Sequence, residues 1–158
     1  MVLCIYIALH PLTHTSTSQV AAVGQAGHVG AAVLYPNRAL TPGGVLTTDS
    51  AVVCKYGYAA SVRNVPVKEK AAVYEEYGLT YPQAPGGYEV DHFIALELGG
   101  SNDLQNLWPE PAEPRPGFHE KDEIENYLHT QVCSGRMSLL NAQHEIVSDW
   151  YAVYTRSH

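Results

Sequence analysis

Between residues 65 and 158 the spacing of apolar positions switches from helical to extended and back. In "VPVKEKAAVYEEYG" (65–78), Val73 and Tyr77 stand one helical turn apart with Ala72 alongside. Pro66 suits a first helical position and Gly78 a C-terminal cap, so this stretch predicts a helix. "YEVDHFIAL" (88–96) is short and rich in β-branched and aromatic residues, which predicts a strand. "GGSNDLQN" (99–106) carries turn chemistry, with Gly99 and Gly100 expected to supply positive φ. "LWP" then opens a second short strand that Pro109 is expected to end, and the prolines of "EPAEPRPG" (110–117) oppose regular structure. From His119 to Val132 the pattern is helical again, with Ile124, Tyr127, Leu128 and Val132 on one face and Gly135 as the stop. Ser138 caps a last helix whose apolar stripe is Leu139, Ala142, Ile146, Trp150 and Val153. Upstream, "AVVCKYGYAA" (51–60) reads as a short β-like run broken by Gly57. The order helix, strand, loop, strand, helix, helix defines an α+β domain.

Composition narrows the class. A chain of 158 residues with 46% hydrophobic and 16% charged residues is globular and fits one domain. Residues 1–42 are rich in small residues, Ser and Thr, and read as a leader or flexible segment plus linker; the domain occupies 43–158. "VLCIYIAL" has the length of a signal-peptide apolar region, yet no Lys or Arg precedes Arg38. A cleaved leader implies a secreted or extracytoplasmic protein; a loosely docked tail implies a cytoplasmic one. Cleavage would leave Cys54 and Cys133 as an even pair suited to one disulfide, the alternative being two small buried thiols. No apolar run reaches membrane-spanning length. A net charge of -7 with 9 Lys+Arg argues against coating nucleic acid by charge alone, but not against gripping a few phosphates.

"YEVDHFIALELGGSNDLQNLW" concentrates the chemistry. An imidazole is the natural base near neutral pH, and a carboxylate is a natural ligand for a hard divalent cation. Neighbours on a strand point to opposite sides, so Asp91 and His92 serve one point only if the strand ends or bends there. A returning second strand brings Asn106 back, where its amide can bridge backbone groups across the loop.

This stretch, followed by "KDEIENYLHTQVCSGRMSLLNAQHEIVSDW", resembles the HNH endonucleases, closest to a bacterial and phage subgroup with a D-H-hydrophobic-x-L-E-L-G-G-S-N…N-L-W-P core. The likeness spans about residues 43–151, with "VVCKYGYAASVRNVP" and "VYEEYG" similar to the subgroup's preceding segment. It implies a ββα-metal core with additional packed helices. Asp91 would be a metal ligand, His92 the general base, Asn106 the residue that orients the loop, and His119 the second metal ligand. The metal would be one divalent ion, Mg²⁺ or Mn²⁺ first, with Zn²⁺ or Ni²⁺ as alternatives. The implied partner is nucleic acid, DNA before RNA, held through phosphates. From the residues themselves, Arg63 with Lys68 and Lys70 forms a local basic cluster that reads as a backbone contact or as a solvated helix start, and Lys121 is a candidate phosphate contact. Relatives carry Pro where this chain has Ala95. Lys121 with Glu125 also reads as an ordinary helix ion pair. The alternative to catalysis is a non-catalytic module that binds nucleic acid or a protein on the same fold.

Overall fold

The computed structural model describes residues 35–157. The expected leader lies outside the described residues up to residue 34. Packing starts earlier than position 43, the domain start read from the sequence. Pro36 and Thr41 are buried, and Thr41 Oγ1 donates to Leu107 O at 2.9 Å.

Three helices come first: α1 (Ser50–Val53), α2 (Tyr58–Val62) and α3 (Val67–Glu76). The first two replace the β-like run expected at 51–60. Asp49 accepts from Ala51 N at 2.8 Å and starts α1, while Gly57 at φ 75 turns the chain into α2. Local capping outweighs the β-propensity of Val52 and Val53. Helix α3 has Pro66 at its start and Gly78 at φ 69 just beyond its end, as the pattern predicts.

Strands β1 (Tyr88–His92) and β2 (Leu107–Pro111) form a two-stranded antiparallel sheet with His92 opposite Leu107 and Val90 opposite Pro109. Pro109 therefore does not end β2. Phe93 N donates to Asn106 O, and Ala112 N donates to Gly87 O, beyond the two ends of the ladder. Alternation between them puts Pro109 and Pro111 at non-hydrogen-bonded pairs, where a missing N–H costs no ladder bond. The connection holds two 3₁₀ turns, Leu96–Leu98 and Leu104–Asn106.

Helix α4 (Phe118–Cys133) and helix α5 (Leu139–Ser157) close the fold. Ile124, Leu128 and Val132 of α4 are buried with Leu139, Ala142, Ile146, Trp150 and Val153 of α5, so both stripes read from the sequence form the core. Tyr127 departs from this pattern at 42% exposure. Ser138 Oγ accepts from Asn141 N at 3.1 Å and caps α5, which is interrupted by non-helical backbone at Asp149. Among the described residues no helix is long and apolar enough to cross a membrane.

Candidate active site

The site begins where β1 stops. Asn106 sits at the foot of β2 with no solvent exposure. Its Oδ1 accepts from Ile94 N at 2.9 Å and Gly44 N at 3.1 Å, and its Nδ2 donates to Ile94 O at 3.0 Å and Ser101 O at 2.8 Å. A single amide thus ties the end of β1, the loop and the incoming N-terminal segment together. That is the loop-bridging geometry expected of it.

The two glycines do different things. Gly99 has φ 79, as expected, but no positive φ is found at Gly100. A Cβ at Gly100 would overlap the Ile94 carbonyl oxygen and come within 2.9 Å of Asn106 Nδ2. Gly100 supplies close approach rather than unusual backbone.

His92 and Asp91 part company, as strand alternation requires. His92 Nε2 lies 3.2 Å from Asn102 Oδ1. Asn102 is oriented independently, because its Nδ2 donates to Val62 O at 2.8 Å and its Oδ1 accepts from Asn64 N at 3.1 Å. His92 must therefore donate from Nε2, which leaves the lone pair on Nδ1. That nitrogen is buried and has no partner. Burial first, then the positive charges of Arg63 and Lys121, hold the ring below the usual imidazole range against the opposing pull of Asn102 and Asp91. The neutral form of the His92 ring is thus favoured, in a defined tautomer. Sequence reasoning did not single out Asn102, and its place in "GGSN" carries no signal for this role.

Asp91 turns to α4. Its carboxylate pairs with the ammonium of Lys121, which also bonds Glu125, donates to His92 O at 3.0 Å and lies 3.7 Å from Glu110 Oε2. Lys121 has no solvent exposure and Glu110 only 1%. The expected phosphate contact by Lys121 is thereby corrected: the ammonium is spent inside the fold. Burial opposes the charge on Asp91, yet Lys121 holds its carboxyl below the usual range. Burial also opposes the charge on Lys121, and Asp91, Glu125 and Glu110 together keep it well above its usual value. Burial pushes Glu110 well up, with Asp91 adding to it, and pushes Glu125 up to about 8. Lys121 and Asp91 favour their charged forms, while burial favours the neutral forms of Glu110 and Glu125. Glu110 was missed because a carboxylate inside a short strand gives no sign of facing a lysine on a distant helix.

The donor set does not fit a divalent cation as the sequence suggested. Oδ2 of Asp91 already faces an ammonium. His119 is exposed at the start of α4, with its ring 4.2 Å from that of Phe118. Among the described residues it makes no hydrogen bond to Asp91 or His92, and these three do not form a ligand group. The one group of three that the described residues gather is Cys54, His129 and Cys133, with ligand atoms within 4.8 Å of one another. The two cysteines are joined in a disulfide, so the thiolates that a metal needs are absent. The pairing read as one alternative from the sequence is thus the one found. His129 lies 3.3 Å from Cys133 Sγ and 3.1 Å from Val53 O.

Arg63 is exposed beyond the end of α2, and its charge is felt by Glu89, His92, Glu97 and Asp122. It is the expected nucleic-acid contact that stays available. No family model, curated protein or solved structure matches the chain.

Proposed function

We propose that the chain hydrolyses phosphodiester bonds of nucleic acid, DNA before RNA, with His92 as general base. The observation that carries this reading is the His92 ring, fixed through Nε2 by Asn102 with an uncommitted Nδ1. In the reaction Nδ1 takes a proton from water and the water oxygen attacks phosphorus. The bond to the 3′-oxygen breaks, and the leaving oxygen takes its proton from solvent. Arg63 supplies positive charge to the phosphate. Asn106 holds the hairpin end that carries the base. With its Asp91 paired to Lys121, the chain offers no divalent-metal step to derive. The resemblance of "DHFIALELGGSN…NLWP" to HNH endonucleases supports phosphodiester hydrolysis with a histidine base, and the Asp91–Lys121 pair departs from that family's metal ligation.

A second reading is a nucleic-acid-binding module without turnover. Its support is that His92 is 1% exposed, so the ring meets substrate only when the surrounding loop opens. Plasmid nicking by wild type and His92→Ala, with and without Mg²⁺ or Mn²⁺, separates them. Loss of nicking in His92→Ala is expected. Equal cleavage by both proteins overturns the mechanism, and tight binding without turnover supports the module.

A further inference from the structure

One face of β1 carries Tyr88, Val90 and His92, because alternate strand residues share a side. Beside the first two lies an open cavity of about 420 Å³, within the size range of ligand pockets. Its walls include Arg63, Lys70, Tyr74, Tyr81, Tyr88 and Glu89. The tyrosines are not equivalent. Tyr74 is 4% exposed and belongs to the core, whereas Tyr81 and Tyr88 are 41% and 37% exposed. Tyr74 backs Tyr81, with ring centroids 5.6 Å apart. The cavity therefore presents two aromatic surfaces, one of them braced from behind, beside two exposed cations.

We propose that this cavity binds single-stranded nucleic acid, with bases stacked on Tyr81 and Tyr88 and phosphates at Arg63 and Lys70. The inference deepens the hydrolase reading and rests on it for the identity of the reacting bond. Aromatic stacking accepts any base and is open only to unpaired ones, whereas a duplex needs a wide cationic face. A chain with 9 Lys+Arg and net charge -7 lacks the charge for such a face. It can supply two cations at one cavity. Glu89 also lines the cavity; burial first, then Asp91 and Asp122, push its carboxyl up to about 7, which reduces its opposition to phosphate. Tyr88 and His92 are four positions apart on one strand face, about 13 Å at the rise of an extended chain. A strand stacked on the tyrosines thus passes close to the base. Arg63 lines the cavity with Tyr88, and its charge also reaches His92.

The test is fluorescence anisotropy on the full chain carrying His92→Ala, so that cleavage does not intervene. The probe is a labelled oligothymidylate of about 12 nucleotides, with a duplex of equal length as competitor. Tyr81→Ala and Tyr88→Ala should each weaken the single strand about tenfold, while urea unfolding shows the fold unchanged. The slope of log affinity against log salt should be about −1.4, and should fall by about 0.7 in Lys70→Ala. Absence of oligothymidylate binding overturns the inference, as does a duplex that binds as tightly. So do tyrosine variants that fold and bind like the parent. Cleavage of the same oligothymidylate by wild type is scored separately. Stacking-dependent binding with no cleavage keeps this inference and removes the hydrolase reading; cleavage with no stacking dependence does the reverse.

Discussion

Removing the ammonium of Lys121 tests the electrostatic centre of the fold most directly. Lys121→Met keeps the length of the side chain and deletes its charge. Asp91 is then left 7% exposed with no counter-ion. Breaking a buried pair from one side costs about 3–5 kcal/mol. Burial favours the neutral forms of Glu110 and Glu125, which limits the repulsion they add. The sign with pH follows from Asp91. In wild type its folded pKa is lowered, so its contribution is present above the unfolded value and lost as pH falls through the folded one. In Lys121→Met the main charge-stabilising partner is gone and burial, the largest influence, is opposed only by hydrogen bonds from Glu110 and the His92 backbone; the folded pKa rises, so stability is lost as pH rises toward that value. The gap between the two proteins therefore widens from about pH 4 to about pH 7. Urea unfolding followed by the emission of Trp108 and Trp150, both fully buried, gives the free energies. Asp91→Asn combined with Lys121→Met should recover much of the loss, since no unpaired charge remains. A Lys121→Met protein within about 1 kcal/mol of wild type at pH 7, or a gap that narrows as pH rises, refutes the reasoning.

Three further outcomes are expected. Glu125 has a folded pKa of about 8, so wild type loses stability as pH rises from the unfolded glutamate value toward 8, by at most about 1.4 kcal/mol per pH unit; unfolding of Glu125→Gln across that range should show a flatter profile. Asn106→Ala removes four hydrogen bonds from a fully buried amide and should cost about 3–5 kcal/mol by urea melts. The Cys54–Cys133 bridge spans 79 positions, so reduction should cost about 2–5 kcal/mol in a melt with dithiothreitol; an unchanged midpoint would refute that contribution.

Periodicity made the apolar half of the molecule legible. Every position of the α5 stripe is buried, and so are Ile124, Leu128 and Val132, because burial on one helix face leaves a 3.6-residue signature. The misses share one cause. Val52 and Val53 have strand propensity, but a single Asp49 cap and Gly57 decide a four-residue segment. Pro109 breaks a central strand, but in a two-stranded ladder its register alone decides whether an N–H is missed. Short elements are settled by one contact, and one contact has no period.

The same distinction runs through the candidate site. The pair Asp91–His92 was legible as two polar residues parted by the strand, and Asn106 as the amide that bridges the loop. What the pair does depends on what each face of the strand meets. The face of Asp91 meets α4, where Lys121 and Glu125 stand one turn apart. That helical pair was visible in the sequence; the two strand carboxylates that turn it into a buried cluster were not, because Asp91 and Glu110 reach Lys121 only through tertiary packing. The opposite face carries His92 to Asn102, which fixes a tautomer no sequence records. One strand end thus divides its two polar residues by alternation: Asp91 is committed to holding the sheet against the helix, and His92 keeps one ring nitrogen without a hydrogen-bond partner.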